Sequence, residues 1–152
     1  MPLDIIPRAD WQAEVPTSKL PLLTPVESVL LTYTSTDPCT SEDDCKKLLR
    51  DIQKKQMEEQ SMPDIQWNFM IGANGSVFEG RGWNTNATKE PEHTPLDFKS
   101  LDIAYIGRTK EKDVTPEMIG AVSELIRYGI ENKHINDTFD YVESKDYTNF
   151  VA

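Results

Sequence analysis

The chain has 152 residues, 38% hydrophobic and 28% charged, which suits one globular domain with a core of its own. Its net charge of −10, from 16 Lys and Arg against 26 Asp and Glu, repels phosphate backbones and anionic membrane surfaces, so no nucleic-acid partner is expected. No apolar run is long enough to cross a bilayer, and the N-terminus MPLDIIPRADW lacks the basic and apolar regions of a signal peptide; any targeting segment is expected to lie outside this chain.

Residues 1–27 are rich in proline (Pro2, Pro7, Pro16, Pro21, Pro25) and read as a loop wrapped over the domain. Ile5, Ile6, Trp11, Leu22 and Leu23 are its apolar anchors. Val29-Leu30-Leu31 continues through Thr32-Tyr33-Thr34 as a nearly uniform run, the mark of a central strand buried on both faces. Cys39 and Cys45 follow in a C-x5-C spacing that suits a small loop closed by a disulfide better than a zinc or redox pair. Ser41 is an N-cap, with Glu42, Asp43 and Asp44 in the first turn. Cys45, Leu48, Leu49 and Ile52 recur at helical spacing, so a helix is expected from about Ser41 to Glu59, before Pro63.

Ile65 to Ile71 alternates, with Ile65, Trp67, Phe69 and Ile71 on one face. Asn74-Gly75 then signals a hairpin, and Ser76 to Gly80 is the returning strand. Asn84 to Lys99 reads as a long surface loop and Ser100 to Gly107 as another strand. Thr115-Pro116 is a cap followed by proline at the first helical position. Met118, Val122, Leu125 and Gly129, with Ile119, Ile126 and Ile130 beside them, give that helix a wide apolar face. No repeat, low-complexity tract or second domain interrupts residues 1–152. Asn74, Asn86 and Asn136 each open an N-glycosylation tripeptide, and with the cysteine pair they favour an extracellular protein.

Several segments together resemble the peptidoglycan recognition proteins. Ile6-Pro7-Arg8-Ala9-Asp10-Trp11 is similar to that family's "I-x-R-x-x-W". Asp64 to Gly72 resembles "DIGYNFLIG", Asn74 to Trp83 resembles "DGNVYEGRGW", and Leu101 to Gly107 resembles "IGIAFIG". Cys39 and Cys45 match the family's short disulfide. The resemblance runs in order along nearly the whole chain. It implies an α/β fold with a central mixed β-sheet flanked by helices and a groove on one face.

Catalytic members of that family are zinc amidases, with a His–His–Cys ligand set and an assisting tyrosine. A catalytic zinc needs about three protein ligands and an open position for water. Here the first histidine of the family's "VIIHHTA" falls on Thr32, and the tyrosine of "DIGYNF" falls on Trp67. The second histidine, from "GHRD", falls on Ser144, and the segment Tyr147 to Ala152 offers no cysteine. The residues alone point the same way. His93 and His134 are the only histidines, both read as surface residues, and no H-x-x-x-H, C-x2-C or H-x-E spacing exists. Glu42-Asp43-Asp44 is read as a dipole-favoured helix start rather than a glycosidase pair. No catalytic residue, metal site or cofactor is expected.

The groove is altered as well. An aromatic wall residue becomes Met62, the histidine of the family's "Q-x-x-H" becomes Gln56 after a retained Gln53, and the Ala87–Asp97 loop is longer and more acidic. Residual groove candidates are Thr34, Trp67, Arg81 and Trp83, of which Arg81 retains the means to pair with a carboxylate. The resemblance implies a non-catalytic insect member in which muropeptide binding is weak or absent. Such a domain would sit on the extracellular face of the cell membrane and dampen signalling by contacting related receptor ectodomains. The alternative is a non-catalytic muropeptide-binding receptor domain.

Overall fold

The computed structural model describes residues 3–87 and 100–143. In chain order the elements are β1 (Ile5–Ile6), β2 (Val26–Tyr33), α1 (Glu42–Glu59), β3 (Phe69–Ile71), β4 (Val77–Glu79), β5 (Ser100–Tyr105), α2 (Lys110–Asp113), α3 (Pro116–Glu131) and β6 (Ile135–Glu143). The strands join in one mixed sheet in the order β1-β4-β3-β5-β2-β6, with β3 and β4 antiparallel and the other pairs parallel.

Alternation along the strands sorts the core into two layers. Val29, Leu31, Tyr33, Phe69, Ile71, Leu101, Ile103 and Tyr105 pack with Met118, Val122 and Leu125 of α3. Met70, Phe78 and Ala104 pack on the other side with Cys45, Leu49 and Ile52 of α1, together with Trp11, Ile65 and Trp67. Each fully buried leucine or isoleucine contributes about 2 kcal/mol from the area it removes from water.

Both long helices begin where their caps stand. The Ser41 hydroxyl accepts from the Asp44 amide at 3.1 Å, ahead of the acidic first turn. The Thr115 hydroxyl accepts from the Met118 amide and donates to the Ala73 carbonyl at 2.7 Å, which ties the start of α3 to the β3–β4 hairpin. In that hairpin Gly75 takes a φ of +87°, and the Asn74 side chain accepts from the Ser76 amide.

Three readings need correction. The strand read over Ile65 to Ile71 is a strand only at Phe69–Ile71, and the alternation breaks before it. Asn68 is the cause. Its Oδ1 replaces a backbone carbonyl in accepting from the Asp102 amide, while its Nδ2 donates to the Gly82 and Thr85 carbonyls. Ile65 and Trp67 therefore pack in the α1 layer while Phe69 and Ile71 pack in the α3 layer. Leu23, read as an anchor of the N-terminal wrap, is 54% exposed; Ile6, Trp11 and Leu22 are the buried ones. The surface loop read over Asn84 to Lys99 starts with exposed Asn84 and half-buried Thr85 but turns inward at buried Asn86 and Ala87, and residues 88–99 lie outside the described residues.

Candidate functional site

The C-terminal end of β2 is the place to look for chemistry, because three polar side chains stand there in succession. Thr32 lies beside Ala104 of β5 and is 1% exposed. Its hydroxyl is buried and finds no hydrogen-bond partner among the described residues. Tyr33 faces the opposite layer beside Tyr105, ring centroids 6.0 Å apart. Burial drives the Tyr105 phenol well above its usual pKa, so it stays protonated. Thr34 closes the ladder: its amide donates to the Tyr105 carbonyl, and its hydroxyl accepts from the Gly107 amide at 3.1 Å while pairing with Thr36 at 2.7 Å. Thr34 is thus a clip between the ends of β2 and β5.

The other groove candidates are also built into the structure. Trp67 is 1% exposed in the α1 layer, its indole nitrogen buried without a partner among the described residues. Arg81 is buried, and its guanidinium donates to the carbonyls of Ile65 at 2.6 Å, Asn86 at 2.8 Å and Asp64 at 3.4 Å. Those bonds pin the segment before β3 to the segment after β4. Trp83 is half-buried. It stacks on His134 at 4.5 Å and 11°, and meets Phe69 at 4.6 Å and Tyr128 at 5.8 Å, so its faces are covered by protein. His134 is half-buried in that stack rather than freely exposed, and desolvation lowers its pKa.

Met62 and Gln56, both read as altered groove positions, are buried. Gln56 accepts from the Gln66 amide at 2.9 Å, and its own carbonyl accepts from the Met62 amide. Cys39 and Cys45 form a disulfide with a Cα separation of 5.1 Å, both cysteines buried at the entry to α1. His93, Ser144 and the Thr88–Asp97 part of the acidic loop lie outside the described residues. Asn74 is exposed, Asn136 half-buried and Asn86 buried.

One cluster escaped the sequence reading. Asp64, 2% exposed, receives both prongs of the Arg8 guanidinium, at 2.7 and 2.9 Å. It also accepts from Gln53 and from the Ile65 amide. Gln53 in turn holds both backbone groups of Glu14, and Arg8 donates to the Gly80 carbonyl. This network locks the N-terminal wrap, α1 and the base of the hairpin together. The signal was present in the sequence as a charged residue on each side of apolar runs, but charge alone does not show pairing over such a separation. A cleft of about 300 Å³ beside it holds Arg8, Lys19 and Arg81 against Glu14, Asp64 and Glu79, so its charges balance.

Among the described residues no group of three or more His, Cys, Asp or Glu side chains could hold a metal ion. Threonine and tryptophan at the end of β2 and before β3 supply neither an imidazole nor a thiolate.

Residues 23–147 match the family model described as N-acetylmuramoyl-L-alanine amidase. Peptidoglycan-recognition protein LE of Drosophila melanogaster is 32% identical over 136 residues, which cover 89% of this chain and 39% of that protein. Its solved structure, in complex with tracheal cytotoxin, a monomeric diaminopimelic acid-type peptidoglycan, superposes with a TM-score of 0.82, covering 91% of this chain and 81% of that one. Peptidoglycan-recognition protein 2 of Holotrichia diomphalia is 30% identical over 142 residues, covering 93% of this chain and 74% of its own. The ectodomain of the Drosophila transmembrane receptor PGRP-LCa is 28% identical, with a TM-score of 0.85 and coverage of 91% and 83%. With the family model spanning most of its length and relatives at this identity, the chain belongs to the peptidoglycan recognition protein family, on the N-acetylmuramoyl-L-alanine amidase fold.

Proposed function

We propose that this chain is a single, non-catalytic innate-immune domain that binds muropeptide weakly or not at all and regulates signalling by contacting related receptor ectodomains. The observation that carries the reading is the pair Thr32 and Trp67. By the motif resemblance they fall at the positions of a zinc-binding histidine and the assisting tyrosine of the related amidases, and each is 1% exposed. Neither residue type can bind zinc or donate a phenolic proton. Arg81 supports the same reading, since three backbone carbonyls hold the guanidinium that would otherwise meet a ligand carboxylate.

A regulator of this kind acts by occupancy. It presents the outer surface of a receptor ectodomain, engages a sister receptor, and transmits no ligand signal because its own groove is empty. In this it resembles the ectodomain of the membrane-anchored insect family member PGRP-LF, and its place is the extracellular face of the cell membrane. The solved complex of the LE relative with tracheal cytotoxin supports a second reading, a non-catalytic domain that retains muropeptide binding.

Calorimetry separates the two. Titration with a soluble monomeric muropeptide is expected to give no heat of binding in the micromolar range, and titration with ectodomains of related receptors a saturable one. A micromolar dissociation constant for the muropeptide would establish the second reading instead.

A further inference from the structure

The three Asn-x-Ser/Thr tripeptides stand in different structural settings. Asn86 is 1% exposed and its side-chain nitrogen is buried. Its amide donates to the Leu20 carbonyl at 2.7 Å and its carbonyl accepts from Arg81 at 2.8 Å. A sugar on that nitrogen has no route to solvent while the side chain stays buried. Asn74 is exposed at the hairpin tip, but its neighbour Gly75 presses against the Glu117 backbone: a Cβ there would lie 3.1 Å from the Glu117 carbonyl oxygen.

Asn136 is different. Ile135 pairs with Val26 and Asp140 with Ser28, so the four residues Asn136 to Phe139 stand opposite the single residue Glu27. This excursion is anchored inward by Phe139, which packs on the α3 layer, while Asp137 and Thr138 face solvent. The Asn136 Oδ1 accepts from the Thr138 amide at 3.0 Å and from its hydroxyl at 2.8 Å. Those bonds use only the oxygen, and Nδ2 makes no hydrogen bond among the described residues. The excursion lies on β6, the terminal strand of the sheet order, and the same strand exposes Tyr141 at 47% and Val142 at 50%. An edge of that length with apolar side chains is a template for pairing with another chain.

We infer that Asn136 carries an N-linked glycan and that this glycan shields the outer edge of β6 from pairing with a second copy of the chain. The chemistry is a glycosyl transfer. A bond forms between Nδ2 of Asn136 and C1 of the first sugar, the C1–oxygen bond of a lipid pyrophosphate-linked oligosaccharide breaks, and lipid pyrophosphate leaves. The amide proton passes to a base of the transferase. The bulge already interrupts regular pairing, and a glycan on its first residue adds bulk along the edge that carries the exposed Tyr141 and Val142.

The inference rests on the extracellular placement proposed above, but it is independent of whether muropeptide binds. The test is secretion of the chain from insect cells behind a host leader, followed by intact-mass and peptide mapping before and after enzymatic removal of N-glycans. Asn136→Asp keeps the oxygen that accepts from Thr138, so the turn survives, and it is expected to lose one glycan. Thr138→Val is expected to lose the same glycan, and Asn86→Gln none. Sedimentation is expected to show dimers or larger species for Asn136→Asp and for the enzymatically deglycosylated protein at concentrations where the glycosylated protein is monomeric. Secreted protein modified at Asn74 but bare at Asn136 would overturn the inference while leaving the extracellular reading intact. Secreted protein with no modified site would overturn it too. Identical sedimentation with and without the glycan would overturn the shielding role.

Discussion

Arg8 grips Asp64 with two parallel hydrogen bonds, and the carboxylate they hold is almost wholly removed from water. The two residues are 56 positions apart, so the pair closes the N-terminal wrap onto the segment before β3. Arg8→Ala would leave the Asp64 charge buried with only neutral donors, an arrangement that costs about 3–5 kcal/mol. Asp64→Asn is expected to cost less. An asparagine still accepts from the Ile65 amide, and the Arg8 side chain is 24% exposed and can turn to water. Urea denaturation of the two variants checks this; an Arg8→Ala midpoint close to that of the parent chain would mean that the pair holds nothing in place.

Two glycines should respond in opposite directions. A Cβ at Gly80 would collide with the backbone carbonyl oxygen of Trp67 and lie 3.0 Å from the Met70 sulfur, and the Gly80 amide is already bonded to the Asn68 carbonyl. Gly80→Ala is therefore expected to destabilise by about 3 kcal/mol, the upper range for overpacking a tight site. Gly120 sits in the exposed interior of α3, and a Cβ added there would meet nothing within 4 Å, so Gly120→Ala should stabilise by about 1 kcal/mol through helix propensity alone. Thermal melts of the two single variants read both signs at once.

The sequence made the parts with local signals legible. Ser41 and Thr115 mark helix starts through side-chain bonds within three residues, and Asn74-Gly75 marks a turn through backbone freedom, so each could be read without tertiary information. What escapes depends on distant partners. β6 gives little periodic signal because its residues are mostly polar and one face of it is solvated. Asn68 breaks a regular alternation by bonding across to Asp102, Gly82 and Thr85, which no spacing rule anticipates. Trp83 reads as a groove residue because an aromatic side chain after a hairpin gives no sign of the Phe69, Tyr128 and His134 rings that surround it.

The Cys39–Cys45 bond spans six positions, and closing so short a loop in the unfolded chain is worth only about 2 kcal/mol. Its larger effect is local. The Ala73 amide donates to the Cys39 carbonyl, so the bond holds the β2–α1 turn against the end of β3. Cys39→Ala/Cys45→Ala is expected to lower stability by about 2 kcal/mol and to speed hydrogen exchange at Ala73 and in the first turn of α1 more than in β5. Uniform loss of protection across the chain would argue against the local role.

Thr32→His/Ser144→His is expected to leave the chain without stoichiometric zinc and without amidase activity. Two imidazoles give one ligand fewer than a catalytic zinc site uses, and Trp67 still offers no hydroxyl. The Thr32 position is also closed: it is 1% exposed beside Ala104, and an imidazole there exceeds the space a threonine fills. The double variant, purified without metal and then dialysed against zinc, gives the answer by elemental analysis. One bound zinc per chain, or release of stem peptide from peptidoglycan, would refute the prediction.

His134 gives the chain a small, signed dependence on pH. Desolvation against Trp83 and Tyr128 lowers its pKa in the folded state, so the folded chain binds its proton less readily than the unfolded chain does. Stability from this group is therefore fully present above the unfolded imidazole value of about 6.5 and is lost as pH falls below it, until the folded imidazole also takes up a proton. The His134 side chain is only half-buried, so the effect is modest. His134→Phe keeps a ring on Trp83 and removes the titration. The difference between the parent and variant stability curves should thus widen on acidification and stay flat above neutrality. Proton NMR of the His134 ring measures the folded value directly, and a value at or above that of a free imidazole would reverse the sign and end the argument.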